Sequence, residues 1–214
     1  MYLRILSKLP NSILWLLRFP DLGEQHLLQF AASWAPHVVK RIYFTDVAPK
    51  GTHITRASVV DLFLDTPECN AHTTAADVVW SGTPVLTWGK WNYKMCSRMA
   101  GSIVASALPL GSDGDRAREE LLVNSDREYE DAAVRLGSEL KFQQTLAPEV
   151  KEKGGLVGCY GKGEGRLVEL RKMLWEGRWE SRLFDTRRWV ADVERAYELA
   201  WANWEAGRGG DIWL

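Results

Sequence analysis

Residues 65–82, DTPECNAHTTAADVVWSG, constrain the fold of this 214-residue chain more than any other segment. They lie between two apolar runs of β-forming residues, VVDLFL before them and TPVLTW after them. Two strands joined through a helix run parallel, because an antiparallel pair needs only a tight turn. His72, Thr73 and Thr74 fall where the first strand has ended and the helix begins, so the segment predicts a strand–helix–strand unit with polar side chains at the junction.

The predicted helix start is suited to a phosphate. The first N–H groups of a helix have no intrahelical partner, and the helix dipole adds partial positive charge there. His72, Thr73 and Thr74 add further hydrogen-bond donors, so a phosphate or diphosphate is the expected ligand. Asp77, four residues after Thr73, shares its helix face and could accept hydrogen bonds from a sugar hydroxyl. The alternative is a plain helix cap, because Ser and Thr are frequent at that position.

The same alternation of strands and helices runs through most of the chain. Alternation at this spacing predicts an α/β fold, a Rossmann-like doubly wound parallel sheet. The predicted strands are 12–19, 41–45, 59–64 and 84–87, and the predicted helices are 1–9, 21–33, one after Pro49, 73–80, 93–107, 116–123, 125–144 and 186–206, with capping boxes at Asp21–Glu24 and Ser125–Glu128 and a turn at 111–115.

Residues 151–165 hold six glycines together with lysines and predict a mobile loop. They lack the spacing and the preceding strand of a phosphate-binding loop. We therefore divide the chain into a nucleotide-sugar-binding lobe at 1–146, a Gly/Lys-rich loop at 147–166 and a C-terminal helical extension at 167–214.

A second polar cluster follows the preceding predicted strand. Lys50, His53 and Arg56 recur every three residues, so they share one face of a helix. A solvated basic face is the alternative. Ligands of doubly wound sheets bind beyond the carboxyl ends of the strands, and both clusters fall there after consecutive strands. The sequence therefore predicts one shared site.

Charge and cysteine content exclude several other classes of protein. Lys and Arg number 27 against 28 acidic residues, a net charge of −1, which gives no electrostatic case for nucleic acid or an anionic membrane as partner. No apolar run approaches the roughly 20 residues that a membrane span needs. Three scattered cysteines do not form a disulfide framework or an ordinary zinc site, and they favour a reducing compartment.

Ordered motifs across most of the chain resemble those of the protein O-linked N-acetylglucosaminyltransferases. Residues 65–84 resemble the nucleotide-sugar motif of that family. The other similar segments are 10–20, 41–44, 47–50 with His53 and Arg56, 128–131, 136–137 and 181–186. The resemblance implies the C-terminal lobe of a GT-B glycosyltransferase that binds UDP-N-acetylglucosamine and glycosylates Ser and Thr of proteins in the nucleus and cytoplasm.

The resemblance also assigns roles to the polar clusters. The Ala48 backbone would hydrogen-bond uracil, His53 would stack on the base, Lys50 would reach the nucleotide and Arg56 would approach the uracil. His72, Thr73 and Thr74 would hold the diphosphate, and Asp77 would contact the ribose.

In the family the acceptor hydroxyl attacks the anomeric carbon and UDP leaves with inversion. A helix terminus, hydroxyls and a lysine stabilise the leaving phosphate, so no metal or other cofactor is expected. The resemblance places that lysine upstream of Met1, together with the N-terminal lobe and the tetratricopeptide repeats that select proteins. We therefore assign no catalytic residue here and expect this chain alone to be inactive. Alternatives are a non-catalytic UDP-sugar-binding or interaction module, and an unrelated doubly wound nucleotide-binding protein.

Overall fold

A computed structural model describes residues 1–146 and 159–213. The strands are β1 (Leu14–Leu17), β2 (Ile42–Thr45), β3 (Phe63–Leu64), β4 (Val85–Trp88), β5 (Leu122–Val123), β6 (Lys141–Leu146) and β7 (Cys159–Glu164). The helices are α1 (Tyr2–Lys8), α2 (Asp21–Trp34), α3 (Lys50–Ala57), α4 (Thr73–Trp80), α5 (Met99–Ala107), α6 (Ser112–Leu121), α7 (Asp126–Glu139), α8 (Arg166–Gly177) and α9 (Thr186–Glu205). Pro36–Arg41 and Met95–Ser97 form short 3₁₀ turns.

The first five strands pair in parallel, as the alternation of strands and helices predicts. They form two hydrogen-bonded pieces. One consists of β1 and β2, and the other has the strand order β3-β4-β5. In register, Phe63 lies opposite Val85 and Thr87 opposite Leu122. The carboxyl ends of β3, β4 and β5 therefore meet at one edge, which is where α4 begins.

The main core is built by helices that cover the β3-β4-β5 piece. Its buried residues come from α3, α4, β4, α5, α6, α7 and α8, with Leu108 directly after α5. Apolar residues recur at helical spacing along α8, where Leu167, Leu170 and Leu174 are all buried. The segment after residue 158 therefore returns to the main core.

Several predicted elements differ from the structure. The predicted helix at 93–107 begins only at Met99, as α5, because Met95–Ser97 form a 3₁₀ turn in which the Arg98 N–H donates to the Met95 carbonyl oxygen. The predicted turn at 111–115 is mostly the first part of α6, because Gly114 packs against the Pro109 carbonyl, where an added Cβ would lie only 1.9 Å from the oxygen. The predicted helix at 116–123 ends at Leu121, since residues 122 and 123 pair with β4 as β5. The predicted strand at 59–64 is reduced to its last two residues, because Val59 and Val60 hydrogen-bond back to α3.

The region predicted as a loop also differs. The helix predicted to run to Gln144 ends at Glu139, and the next residues form β6. β6 pairs antiparallel with β7, so residues 159–164 are a strand. Residues 147–158 of the predicted loop lie outside the described residues. Gly165 then starts α8 with a φ of 114° and lies against the Glu139 carbonyl, a conformation and a contact that require glycine.

The two predicted capping boxes have different outcomes. Ser125 caps α7, since its hydroxyl accepts the Glu128 N–H, while the Glu128 carboxylate accepts the N–H of Asn124. At α2 no side chain caps the helix. Glu24, the expected capping partner, instead forms an ion pair with Arg18.

α9 is the least covered helix. None of its side chains is buried, and its aromatic side chains remain exposed although they follow the spacing of an apolar helical stripe. The exposed aromatic residues of α9 are Trp189, Tyr197, Trp201 and Trp204. In the described part of the chain, no helix is long and apolar enough to span a membrane.

Tyr129 gives a test of this packing. Its buried hydroxyl donates to the Asp65 carbonyl oxygen at 2.8 Å. We expect Tyr129→Phe to lower the free energy of unfolding by about 1 kcal/mol, because one buried hydrogen bond is lost. Tyr93→Phe is the control, since Tyr93 is exposed, and should change it by less than about 0.5 kcal/mol. Urea unfolding of both variants measures the difference, and equal effects would show that the Tyr129 hydroxyl does not stabilise the fold.

Candidate functional site

The N-terminus of α4 is open to a ligand. Thr73 is its first residue and His72 its N-cap, and no side chain caps the helix. The first intrahelical bond runs from the Ala76 N–H to the His72 carbonyl. Among the described residues, the hydroxyls of Thr73 and Thr74 have no hydrogen-bond partner. Their donors are therefore not used for the plain cap that the sequence left as an alternative.

The structure brings one residue of each predicted cluster together. Lys50 Nζ at the start of α3 lies 3.7 Å from Asp77 Oδ1 on α4. Deeper in the interface the Ser81 hydroxyl donates to the Ile54 carbonyl oxygen at 2.7 Å. The side chain of Lys50 is 77% exposed, so its ion pair with Asp77 is weak and can yield to a competing anion.

The other two residues of the basic cluster differ in their contacts. The His53 imidazole is half-buried and has no hydrogen-bond partner within residues 1–146 and 159–213. Arg56 donates to the Asp46 carbonyl oxygen at 3.1 Å, and its guanidinium carbon lies 5.5 Å from the centre of the Trp15 ring. Arg56 is therefore held against the β1–β2 piece. Ala48, in the loop between β2 and α3, is half-buried.

Asp65 fixes the loop that leads into α4. Its side chain is buried at the end of β3, where Oδ1 accepts the Ala71 N–H at 2.7 Å and Oδ2 accepts the Thr87 hydroxyl at 2.6 Å. Its carbonyl oxygen accepts the hydroxyls of Tyr2 and Tyr129. Burial raises the pKa of Asp65, and the hydrogen bonds from Thr87 and Ala71 act in the opposite direction.

Residues 89–98, after β4, support the same loop from the other side. The Ser97 hydroxyl donates to the Pro67 carbonyl oxygen at 2.6 Å, and the Trp91 indole N–H donates to Glu68 at 2.6 Å. Lys90 pairs with the same carboxylate. The backbone that precedes His72 is thus held by β4 and by the loop that follows it.

Asp65, Glu68 and Ser97 therefore position the site although the sequence pattern did not assign them a role. Asp65 lies within the segment that first indicated the site, and a carboxylate directly after an apolar strand is the signal that could have identified it. Ser97 and Glu68 carry no comparable signal, because their contacts join residues 22 to 30 positions apart in the sequence. In the described ranges, no group of three or more His, Cys, Asp and Glu is arranged to hold a metal ion.

A parallel α/β sheet with free donors at a helix start beside a basic helix is typical of nucleotide-binding proteins. The chain belongs to glycosyl transferase family 41, whose sequence profile matches residues 1–159. The predicted family is thereby confirmed.

Proteins of three eukaryotes are similar in sequence. A probable UDP-N-acetylglucosamine–peptide N-acetylglucosaminyltransferase of Arabidopsis thaliana is 38% identical over 92% of this chain and 17% of its own length. The UDP-N-acetylglucosamine–peptide N-acetylglucosaminyltransferase of Caenorhabditis elegans is 33% identical over 97% of this chain and 15% of its own length. That of Giardia intestinalis is 39% identical over 38% of this chain and 6% of its own length. The chain thus spans about a sixth of the length of the first two relatives.

The fold is shared with a solved structure. A mutant of the O-GlcNAc transferase of Thermobaculum terrenum superposes with a TM-score of 0.67 at 22% identity, covering 94% of this chain and 32% of that chain. The predicted fold class, an α/β lobe of the GT-B type, is confirmed by this likeness.

Replacing Asp65 separates the effect of its hydrogen bonds from that of its charge. We expect Asp65→Ala to lower the free energy of unfolding by about 2–4 kcal/mol, because the Ala71 N–H and the Thr87 hydroxyl lose their acceptors. Asp65→Asn keeps one acceptor oxygen and should cost less. Urea unfolding at pH 7 measures both, with Asp113→Ala on the exposed start of α6 as the control. An equal loss of unfolding free energy in Asp65→Asn and Asp65→Ala would show that the acceptor oxygens of Asp65 do not stabilise the fold.

The raised pKa of Asp65 predicts a pH dependence of stability. Because the folded-state pKa lies above the ordinary Asp value near 4, this group stabilises the fold most below that value. Its contribution is lost as the pH rises through the folded-state pKa. As the pH rises from 4, the unfolding free energy of the wild type should therefore fall relative to that of Asp65→Asn. A difference between the two proteins that is constant with pH would contradict this prediction.

Proposed function

We propose that this chain is the UDP-N-acetylglucosamine-binding lobe of a protein O-GlcNAc transferase, which transfers N-acetylglucosamine to Ser and Thr of proteins. The contact between Lys50 and Asp77 is the main structural observation that supports the proposal. It links the helix after β2 to the helix after β3, and in the proposal these two helices provide the base end and the phosphate end of one site. Membership of glycosyl transferase family 41 and the names of the relatives support the same donor.

The phosphate end of the site would be at α4. The free backbone N–H groups of its first turn, with the side chains of His72, Thr73 and Thr74, would bind the diphosphate. The half-buried Asp77 lies one turn deeper, within reach of Lys50. In the complex its carboxylate would accept hydrogen bonds from the ribose hydroxyls, while Lys50 would turn to the nucleotide.

The base end would be at α3 and the loop before it. The half-buried His53 imidazole would offer its flat face for stacking on uracil. The Ala48 backbone would hydrogen-bond the uracil edge. Arg56 would approach the base from its position over Trp15, and it would have to exchange its bond to the Asp46 carbonyl to do so.

The proposed reaction is an inverting displacement. The acceptor hydroxyl forms a bond to the anomeric carbon while the bond from that carbon to the β-phosphate oxygen breaks. UDP leaves, and the hydroxyl proton is released to water. Negative charge develops on the β-phosphate, and the α4 N-terminus with its hydroxyls would stabilise it. These groups, with a lysine that the family resemblance places elsewhere, make a metal ion unnecessary in the proposal.

The partners in the proposal follow from the same resemblance. UDP-N-acetylglucosamine is the donor, and proteins of the nucleus and cytoplasm are the acceptors in a longer chain with a second lobe and tetratricopeptide repeats. A non-catalytic module that binds a UDP-sugar would have the same donor site. Measured turnover by the longer protein would support the transferase, and its absence would support the non-catalytic module.

Binding of UDP tests the donor site directly. We expect the chain to bind UDP weakly and in preference to ADP, because it offers base and diphosphate contacts but only one wall of a cleft. Asp77→Ala and His53→Ala should each weaken binding by roughly 1–2 kcal/mol, the value of one polar or stacking contact. Calorimetry measures both, with Asp211→Ala and His26→Ala as matched controls on exposed positions. No binding by a folded sample, or equal affinity for ADP, would refute the proposed site.

Transfer by this chain alone is expected to be undetectable. One missing charge partner at the leaving phosphate costs on the order of 3 kcal/mol, about a hundredfold in rate. Loss of acceptor positioning costs several kcal/mol more. A radiolabelled donor and a Ser/Thr peptide provide the assay. Turnover that His72→Ala abolishes and His26→Ala does not would show that this lobe is catalytically complete.

A further inference from the structure

Cys69 and Cys96 meet where two loops pack together beside α4. Cys69 lies between β3 and α4, and Cys96 lies in the 89–98 loop after β4. The Cys96 carbonyl oxygen accepts the Asn70 N–H at 2.7 Å, and the Cys96 Sγ lies 3.9 Å from the Glu68 carbonyl oxygen. Cys96 therefore contacts the residues on both sides of Cys69. The two thiols are free, and each sulfur lies 3.9 Å from a carbonyl oxygen of the same short segment, Cys69 Sγ from that of Asn70 and Cys96 Sγ from that of Glu68.

The same contacts reach the candidate site through His72. The Nε2 atom of His72 lies 3.4 Å from the Cys96 carbonyl oxygen, which also accepts the Asn70 N–H. A disulfide requires a Cβ–Cβ distance of about 3.5–4.5 Å and a narrow range of dihedral angles. A disulfide would join the two loops covalently and constrain the contacts that Cys96 makes with Asn70 and His72.

We propose that Cys69 and Cys96 are a redox-modification site, in which a hydroperoxide oxidises the pair to a reversible disulfide that weakens ligand binding at α4. Cys69 is exposed, so the oxidant can reach it. Disulfides inside cells are mostly transient and regulatory. The effect on binding rests on the proposed function, because it assumes that His72 contacts the diphosphate. Formation of the disulfide does not depend on that assumption.

The chemistry balances with hydrogen peroxide as the oxidant. One thiolate attacks the peroxide, which gives a sulfenic acid and releases hydroxide. The sulfur of the second cysteine then displaces the sulfenic oxygen, which leaves as water, and the S–S bond forms. The two thiols lose two electrons and two protons in total, and the peroxide is reduced to two molecules of water. A small thiol reverses the modification by exchange.

The groups around Cys69 determine how the rate of oxidation depends on pH. Desolvation raises the pKa of the Cys69 thiol, the neighbouring Cys96 and Asp65 raise it further, and Lys94 acts in the opposite direction. Only the thiolate attacks peroxide. The rate of oxidation should therefore rise between pH 7 and 9, and the pair should stay reduced near neutral pH until peroxide is supplied.

Peptide mapping without reduction tests the disulfide. The reduced chain is treated with hydrogen peroxide and digested with trypsin, which places Cys69 in peptide 57–90, Cys96 in peptide 95–98 and Cys159 in peptide 154–162. We expect the first two peptides to be linked and to separate again with dithiothreitol. Cys69→Ser and Cys96→Ser should abolish the linked peptide, and Cys159→Ser should leave it intact. Absence of the link, or a link through peptide 154–162, would overturn the proposal.

UDP calorimetry on the same samples tests the consequence. We expect oxidation to lower UDP affinity about fivefold, the effect of losing one hydrogen bond, and dithiothreitol to restore it. The Cys69→Ser variant treated with peroxide is the control and should keep its affinity. A linked peptide with unchanged UDP affinity would overturn the regulatory part. A reduced chain that does not bind UDP would refute the proposed function instead, and the peptide map would still decide whether the disulfide forms.

Discussion

The buried carboxylate of Asp65 is the interaction on which the candidate site depends. It lies at the point where β3 ends, and its two oxygens bind the backbone at Ala71 and the hydroxyl of Thr87 on β4. Two tyrosine hydroxyls, from α1 and α7, bind the carbonyl of the same residue. Three parts of the chain distant in sequence thus converge on one residue. Because Ala71 directly precedes His72, this arrangement fixes where α4 begins and where its free N–H groups point.

The site is then assembled by the packing of α3 on α4. These helices follow β2 and β3, which belong to different hydrogen-bonded pieces, and the helices themselves make the contact that joins the two junctions. α3 supplies cationic and imidazole groups, and α4 supplies a helix N-terminus with hydroxyls and a carboxylate. The ion pair between Lys50 and Asp77 lies where these two starts meet. In the proposed function this arrangement binds a nucleoside diphosphate, whose flat base and charged phosphates need different partners.

The C-terminal part of the described chain stabilises the lobe from behind the site. α8 buries its leucines in the main core, and Arg171 donates to the Ser58 carbonyl beyond α3. The guanidinium carbon of Arg178 lies 3.4 Å from the centre of the Trp175 ring and 5.1 Å from that of Trp80 at the end of α4. Stacking of this kind fixes the C-terminal end of α4. The start and end of this helix are therefore held by different parts of the chain.

The sequence by itself determined the parallel α/β fold, the starts of α3 and α4 and the residues of both polar clusters. These follow from short-range physics: apolar runs of strand length, helix periodicity and the chemistry of helix starts. Only the tertiary structure decided that β3 is two residues long, that residues 141–146 and 159–164 form a hairpin, and that Arg56 lies against Trp15. It also placed Asp65, Ser97 and the two cysteines around one loop. Those contacts join residues distant in sequence, and no local pattern records which distant segments will meet.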